Sequence, residues 1–466
     1  MLLKKIAING HSLFSNLSFP LSSACDAGTN YKTVIIGPNG TGKSTILSCI
    51  ADALTIECSE RKIKSLIGID YSYDLEAEMA GKALLISSSD ISSGGNFGKG
   101  KILAISSTPN DRFPFLAKNS VRKSEHYVYL GLKTASNNIF FSNMKEKMFQ
   151  DMLLICRSTR RVNGALEVLN KLGFNSKFSI TLERGSNFAA FNDSGRRKLH
   201  SNAMAGSASF QNAAFRGFVT SDFYIENEVA IKDFLTSIEN DASAQANLST
   251  ISRNKKLFDK LTMISRLTEA KILTIKTLSI FSNNGIDLHQ SSSGEFNILR
   301  IFLSIIAHVE NDSVIMIDEP EISLHPNWQI DFLSILDAAL VGFLGCHSLI
   351  ATHSHFLLSN LEGRNSTILA LQFNHERGEI FVDALDVNSY GWSPEHTLYQ
   401  VFGVTGFRNK YLELDLRIII DYMSNDSGSF RKFKESLGRI RKFNITEIDP
   451  LFKLINKAEK IIKEKS

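Results

Sequence analysis

Cysteine is scarce in this 466-residue sequence. The five cysteines lie far apart, without CxxC or Cys/His spacing, at Cys25, Cys49, Cys58, Cys156 and Cys346. Structural zinc sites and disulfide frameworks both depend on regularly spaced cysteines. The pattern argues against both, and we expect buried thiols instead.

A long hydrophobic run is also missing. Apolar segments such as 313–317 are interrupted by charged residues well short of the roughly 20 residues that cross a bilayer. The first residues, MLLKKIAINGHSLF, contain two lysines but neither a sustained apolar stretch nor a small-residue cleavage site. We therefore expect no transmembrane helix, no membrane partner, no secretory signal and a cytoplasmic location.

Charge is unevenly distributed. Apolar residues make up 43% of the chain and charged residues 21%, which is the balance of a soluble globular protein. The net charge is only +4, yet residues 101–200 hold 17 lysines and arginines against 7 aspartates and glutamates. That local excess fits either a surface that faces a polyanion such as DNA or an ordinary solvated surface.

Short strands alternate with helical patterns near both ends of the sequence. A strand at 33–36, a glycine-rich loop and a helix at 45–54 form one unit, and further strands are predicted at 101–107, 313–317 and 348–351. Such alternation predicts an α/β fold with a mostly parallel sheet covered by helices.

The middle of the chain has a different pattern. Residues 115–270 are predicted to be mostly helical, and the clearest amphipathic segment is 144–172. No internal repeat and no sustained heptad pattern occur, so a long coiled-coil arm is not expected.

A phosphate-binding motif follows the strand at 33–36. The letters GPNGTGKS match GxxxxGK[ST] between a β-branched strand and a helix, the context that the motif requires. Its glycines allow backbone N–H groups to surround phosphates at the positive end of the next helix, with Lys43 reaching the β- and γ-phosphates and Ser44 binding Mg²⁺. The predicted ATP-binding residues are Gly37, Pro38, Asn39, Gly40, Thr41, Gly42, Lys43, Ser44 and Thr45.

Two carboxylates end a later hydrophobic strand, VIMIDE at 314–319. Asp318 is placed to hold Mg²⁺, and Glu319 is placed to polarise the water that attacks a phosphoanhydride. Acidic strand ends are common in proteins, but the combination with the phosphate loop is specific for a nucleotide hydrolase.

A histidine ends the next predicted strand, in IATHS at 350–354. Such a histidine, beside a γ-phosphate, can hydrogen-bond both the phosphate and the attacking water, so His353 is predicted to be a catalytic sensor. The alternative is an ordinary surface or capping histidine.

The order of these motifs resembles the ABC-type AAA family ATPases: phosphate loop, Ser-Ser-Gly-Glu at a helix start, hydrophobic strand with Asp-Glu, short turn, and strand with Thr-His. Within them, DEPEISLHP (318–326) and ATHSHF (351–356) resemble the RecF, chromosome-maintenance (SMC) and overcoming-lysogenisation-defect (OLD) group. The resemblance is specific over residues 31–54 and 288–356.

The resemblance implies a role for QSSSGEFNILR at 290–300. It identifies Ser292, Ser293, Gly294 and Glu295 as the signature motif, which in that family contacts the γ-phosphate held by the phosphate loop of another copy. Hydroxyls and N–H groups at a helix N-terminus are donors suited to an anion. Two ATP molecules would then lie between two heads of a homodimer or higher homo-oligomer. The alternative is a plain serine N-cap on the following helix, and both can hold together.

The resemblance also sets the predicted domain division. Residues 1–112 and 271–390 would form a P-loop NTPase head of the ABC type. Residues 113–270 would be an inserted, mainly helical region, and residues 391–466 a helical C-terminal segment. The Q-loop glutamine of the family is not visible after the strand at 101–107, where Asn110 and Asp111 stand instead.

Three functional hypotheses follow, all with ATP and Mg²⁺ as cofactors. OLD-type nucleases carry a Toprim domain with paired acidic residues, and no such site is visible in the last 110 or so residues. The architecture is similar to the ATPase subunits of Septu-type and certain retron-type anti-phage systems, which implies an ATPase that regulates or scaffolds a separate nuclease or effector. The alternative is a DNA repair or recombination ATPase of the RecF and SMC kind that acts directly on DNA. A transporter subunit is disfavoured by the long insert and the missing Q-loop.

Overall fold

The computed structural model describes most of the chain. The described residues are 1–23, 26, 28–57, 70–79, 81–88, 100–108, 111–114, 126–132, 141–188, 217–237, 242–282, 293–361, 363–374, 379–385, 410–425, 429–441 and 450–465. They divide into two compact units, Met1–Pro394 and Glu395–Ser466.

A seven-stranded sheet forms the centre of the first unit. Its strands, in spatial order, are β14 (Glu379–Leu385), β13 (Ser366–Asn374), β3 (Tyr31–Ile36), β12 (His347–Thr352), β11 (Val314–Asp318), β6 (Ile102–Ser106) and β7 (Tyr127–Tyr129). Every neighbouring pair is parallel except β13 and β14. The central strands are buried along their whole length, as continuous apolar runs in a doubly covered parallel sheet should be. The predicted α/β fold with a mostly parallel sheet is confirmed.

A second sheet of four antiparallel strands lies beside it. Its order is β2 (Asn16–Pro20), β1 (Leu2–Asn9), β4 (Ser72–Met79) and β5 (Lys82–Ser87). Helix α1 (Lys43–Glu57) contacts strands of both sheets, and its apolar side chains share one core with them. The helix that follows the phosphate loop is thus packed against both sheets.

The middle of the chain contains strands as well as helices. Strands β8 (Phe174–Arg184), β9 (Ala242–Asn247) and β10 (Leu273–Ser282) form an antiparallel sheet in the order β10, β8, β9. Residues 115–270 are predicted to be mostly helical, and β8 and β9 lie among the helices of this range. Strand pairing between segments about 60 to 100 residues apart decides the conformation here, which local periodicity does not report.

Helices complete the first unit. They are α2 (Phe141–Cys156), α3 (Thr159–Lys171), α4 (Asp222–Ser237), α5 (Leu248–Ile251), α6 (Lys255–Glu269), α7 (Ser293–His308) and α8 (Pro326–Ala339). The amphipathic segment 144–172 lies in two helices, α2 and α3. Both pack against α7, which in turn contacts β6 of the parallel sheet.

The second unit is helical, as predicted for the end of the chain. Its described residues form α9 (Lys410–Asn425), α10 (Phe430–Ile440) and α11 (Pro450–Lys465). Tyr422 and Phe433 stack with ring centroids 4.5 Å apart in its core. Arg439 donates two hydrogen bonds from Nε and Nη2 to the Asp415 carboxylate, which lowers the pKa of Asp415.

No helix in the described part of the chain is both long and apolar enough to cross a membrane.

A buried histidine joins the two sheets of the first unit. Nδ1 of His347, the first residue of β12, accepts a hydrogen bond of 3.0 Å from the Leu3 N–H of β1, and Nε2 lies 2.8 Å from Oγ1 of Thr33 in β3. Because Nδ1 accepts, the ring is neutral with its proton on Nε2. Burial lowers the pKa of His347 to about 3. Protonation of Nδ1 would turn the bond to Leu3 into a contact between two donors.

We expect acid to destabilise the first unit through His347. The unfolded chain binds a proton near the ordinary pKa of 6.5 and the folded chain only near 3, so the free energy of unfolding falls as the pH drops between these values. Urea unfolding from pH 7 to 4.5 should give a pH slope for the wild type that exceeds that of His347→Gln by up to about 1.4 kcal/mol per pH unit. Equal slopes would contradict a neutral His347.

Candidate functional site

The candidate site lies where four parallel strands end side by side. Register pairs Asp318 of β11 with Ala351 of β12 and with Ser106 of β6, and pairs Thr352 of β12 with Ile36 of β3. The residues that follow these strand ends therefore leave the sheet along one edge. Carboxyl ends of strands in open parallel sheets are the usual place for ligands.

The phosphate loop packs on one side against the hairpin between β1 and β2. Gly42 has φ +88°, and a Cβ built on it would lie 2.4 Å from Cζ of buried Phe14. Only glycine combines this backbone conformation with this approach. Pro38, Asn39 and Gly40 are exposed at the tip of the loop. The hydroxyl of Thr41 donates to the Pro38 carbonyl, which closes the loop on itself.

Lys43 lies almost fully buried inside the loop. Its Nζ donates to the carbonyls of Gly37 and Pro38 at 2.9 and 3.0 Å and lies 3.2 Å from Nδ1 of His353. Burial lowers the pKa of Lys43 to about 8, against the opposite charges of Glu319, Glu321 and Asp318. The ammonium group of Lys43 therefore lies between the phosphate loop and His353, the residue that follows β12.

Ser44 and Asp318 meet across the edge of the sheet. The Ser44 hydroxyl donates to Oδ1 of Asp318 at 2.8 Å. Burial raises the pKa of Asp318 to about 7, although the bond from Ser44 lowers it. A hydroxyl and a carboxylate brought together in this way are oxygen ligands of the kind that Mg²⁺ prefers, and a bound cation would reverse the effect of burial on this pKa.

Glu319 and His353 approach each other at the next step along the edge. Oε1 of Glu319 lies 3.8 Å from Nε2 of His353, and both side chains are partly exposed, 28% and 31%. Glu319 has φ +49°, a conformation that costs a non-glycine residue energy and often marks functional turns. Burial and the charge of Lys43 lower the pKa of His353 and favour its neutral form, against a hydrogen bond with the Gly37 backbone.

The predicted signature residues are only partly described. Ser292 lies outside the described residues, and so does the side chain of Ser293, at which α7 begins. A Cβ built on Gly294 would lie 2.0 Å from the carbonyl oxygen of Ser323, in the turn after β11. Glu295 lies in the first turn of α7. Gly294 is thus packed against the Asp318–Pro326 turn of its own chain.

Two further predicted positions take structural contacts. The hydroxyl of Thr45 accepts a 2.7 Å hydrogen bond from Arg112. Asp111, which stands near the expected Q-loop, accepts from the Phe113 N–H at 3.1 Å and from the Tyr129 hydroxyl at 2.5 Å. Its carboxylate contributes to the raised pKa of Asp318, so it lies close to the site. Asn110 lies outside the described residues.

Sequence reasoning missed two residues of the turn region. The carboxylate of Glu321 accepts a hydrogen bond of 2.5 Å from the backbone N–H of His353. Gln329 of α8 accepts a 2.6 Å hydrogen bond from the Ser354 hydroxyl and donates to the Leu324 carbonyl at 2.9 Å. Glu321 is visible as the second glutamate of DEPE, whereas no signal in the sequence points to Gln329.

We expect Gly294→Ala to disturb the turn after β11. The added methyl group would collide with backbone, so the helix start or the turn must move, at a cost of about 1–3 kcal/mol in free energy of unfolding. Denaturant unfolding checks this. Gly438→Ala in α10 is the control, because its Cβ meets open space and the substitution should raise stability by up to about 1 kcal/mol. Wild-type stability in Gly294→Ala would contradict the close packing.

One family model matches the greater part of the chain. It is the model described as an AAA ATPase domain, and it matches residues 1–358. The matched range begins with β1 and ends just after His353, so it contains both the phosphate loop and the acidic strand end.

Solved structures with a similar fold come from two groups. The SMC head domain from Thermotoga maritima is 12% identical, with a TM-score of 0.34 over 83% of this chain and 100% of that one. The Smc head domain bound to the C-terminal domain of ScpA, from Pyrococcus furiosus, is 9% identical with a TM-score of 0.31, over 82% and 96%. A nucleotide-free ATP-binding cassette from an ABC transporter is 13% identical with a TM-score of 0.27, over 79% and 87%. At these values the similarities assign no role to individual residues.

Proposed function

The chain belongs to the AAA ATPase domain family and is an ATP-hydrolysing enzyme, and from this premise we propose that two copies close around ATP and regulate a separate effector protein. The observation that carries the proposal is the convergence of Lys43, Ser44, Asp318, Glu319 and His353 at one edge of the parallel sheet. The division of the chain into a head (1–112 and 271–390), an insert (113–270) and a C-terminal segment (391–466) is part of the same proposal.

Each of these residues has a distinct task in hydrolysis. Residues 37–45 bind the phosphates of ATP through backbone N–H groups, and Lys43 balances their charge. Ser44 and Asp318 would hold Mg²⁺, which neutralises charge on the phosphates when bound. Glu319 accepts a proton from the attacking water, and neutral His353 donates a hydrogen bond toward the γ-phosphate. The 3.8 Å between Glu319 and His353 lets both reach one water molecule.

The signature residues would complete the site of another copy. Among described neighbours, a Cβ on Gly294 is closest to Ser323 and Leu324, not to the phosphate loop of its own chain. The resemblance to the signature motif assigns Ser292, Ser293, Gly294 and Glu295, at the start of α7, to the phosphates of another copy, and groups at a helix N-terminus suit an anion. In this proposal they bind the γ-phosphate held by the second copy, in a homodimer or a higher homo-oligomer.

We expect Glu319→Gln to trap ATP and the dimer together. The amide keeps the size of the side chain but cannot accept the proton of water, so turnover should fall at least about a hundredfold while ATP binding persists. Light scattering after size exclusion, with and without ATP and Mg²⁺, should show the doubled mass only with ATP. Ser293→Arg in the same background should bind ATP but stay monomeric. A Glu319→Gln protein that neither retains ATP nor changes mass would contradict the proposal.

Contacts between the insert and α7 support the regulatory part. The buried carboxylate of Asp151 in α2 accepts a 2.5 Å hydrogen bond from the Ser304 hydroxyl and lies 3.0 Å from Nε2 of His308. Arg161 of α3 pairs with Glu310 at 2.6 Å, just beyond the end of α7. An effector that binds the insert could therefore act on the helix that begins with the signature residues.

An anti-phage role rests on the resemblance to Septu-type and retron-type ATPase subunits. The neighbouring gene tests it: a nuclease or a reverse transcriptase beside this gene would support defence. Neighbours without any such effector would contradict it.

The second candidate function is direct action on DNA. In residues 101–200, most of the described cations are engaged within the protein; for example, Lys147 donates to the Tyr129 carbonyl and Arg160 lies 3.6 Å over the Phe343 ring. The exposed lysines of α11 are a better candidate. Lys453, Lys457 and Lys460 follow one face of that helix at i, i+4 and i+7 and make no ion pair with a described residue.

We expect the triple variant Lys453→Glu, Lys457→Glu, Lys460→Glu to decide this alternative. If α11 contacts phosphates, filter binding should show weaker binding and a slope of log K against log salt that is shallower by up to about 3. The control replaces three exposed lysines elsewhere, Lys82, Lys255 and Lys256, with glutamate and should keep the wild-type slope. Wild-type protein that binds no DNA at low salt would contradict direct action.

A further inference from the structure

We propose that Glu321 is a positioning residue for hydrolysis, which fixes the backbone of His353 and so holds the imidazole between Lys43 and Glu319. The inference rests on the proposed roles of Glu319 and His353 and adds a residue to them.

The argument begins with the ladder between β11 and β12. The His347 N–H of β12 donates to the Ser313 carbonyl at 2.9 Å, on the side of β11. Successive residues of a strand point their N–H and C=O groups to alternate sides. Residues 349, 351 and 353 therefore face β11 as well, and the bond of 2.9 Å from the Glu319 N–H to the Ala351 carbonyl agrees with this.

The next rung of this ladder is missing. Continuation would pair the His353 N–H with the Glu319 carbonyl, but the positive φ of Glu319 turns the chain out of the sheet. The Glu319 carbonyl instead accepts from the Ile322 N–H at 3.4 Å. The His353 N–H has then lost its partner in the sheet, and an unpaired backbone donor away from water is costly.

The side chain of Glu321 supplies that partner. Its Oε1 accepts the His353 N–H at 2.5 Å. Burial raises the pKa of Glu321, against hydrogen bonds with the backbone of His353 and the hydroxyl of Thr352. The carboxylate thus replaces a rung of the sheet at the one residue whose ring faces both Lys43 and Glu319.

The hydrogen bond between His353 and Glu321 connects the turn after β11 with the turn after β12. The imidazole of His353 is partly exposed, and its position depends on the backbone that carries it. The hydroxyl of Ser354, the residue after His353, donates a hydrogen bond to Gln329. Glu321 and Gln329 therefore hold two consecutive residues of the turn after β12. Small displacements of a catalytic group are expensive in rate, with about a hundredfold loss for a shift of about 1 Å.

The test compares Glu321→Ala and Glu321→Gln in steady-state ATP hydrolysis. Alanine removes the acceptor, so kcat should fall at least about tenfold with little change in KM. Glutamine keeps a carbonyl oxygen that can accept the His353 N–H and should restore activity to within about threefold of wild type. Thermal unfolding of both variants separates a loss of rate from a loss of folded protein. Equal damage by glutamine and alanine would overturn the inference, because charge and not the backbone bond would then matter.

A double-mutant cycle with His353→Ala tests the route. If Glu321 acts through His353, Glu321→Ala should slow the His353→Ala enzyme by less than about twofold. Additive losses, or an unchanged rate in Glu321→Ala alone, would overturn the inference. If His353→Ala itself leaves kcat unchanged, the proposed role of His353 fails and this inference fails with it. If His353→Ala is slow and Glu321→Ala is not, only the positioning role fails.

Discussion

Parallel hydrogen bonding between β3, β12, β11 and β6 is the constraint on which the candidate site depends. Because neighbouring strands run in the same direction, four segments distant in sequence reach the same edge, and the register sets which residues leave it together. Asp318, the last residue of β11, lies beside Ala351 of β12, so the turns that follow these two strands begin side by side. A shift of one residue would turn the side chains of a strand to the opposite face of the sheet and separate Ser44 from Asp318.

The turns beyond this edge bring buried charged groups of both signs together. Lys43 has its pKa lowered by burial while Asp318 has its pKa raised, so both groups lose hydration that the other only partly replaces. Glu319 adds a strained backbone conformation at the same place. The large apolar core on both sides of α1 stabilises the fold against the free-energy cost of these buried charges and of the strained backbone at Glu319. A polyanion with a divalent cation would bring charges of both signs to this cluster, which is the physical basis for the proposal that these residues bind ATP and Mg²⁺.

The parts of the fold that follow from short-range pattern were predictable from the sequence. The apolar runs that became β3, β6, β11 and β12 are buried on both faces, so each is recognisable alone, and the phosphate loop needs only its local context. Strands β8 and β9 depend on partners far along the chain, and a helical pattern concealed them. Glu321 could not be assigned because its task arises from a backbone N–H that the turn at Glu319 leaves unpaired. That turn is a property of φ at one residue and not of residue type.

Helices α2 and α3 both pack against α7. Arg300 of α7 is buried and donates to the carbonyls of Leu130 and Ser106, so α7 is bound to the strand end that neighbours Asp318. Asp151 of α2 contacts α7 at Ser304, and Arg161 of α3 pairs with Glu310 just beyond the end of α7. Buried charged groups of this kind tolerate few alternative arrangements, because each displaced partner leaves an unpaired charge. A displacement of α2 or α3 would therefore be passed on to α7 and, through Gly294 and Ser323, to the turn that carries Glu319 and Glu321. The fold thus provides a continuous physical connection from α2 and α3 to the candidate catalytic residues.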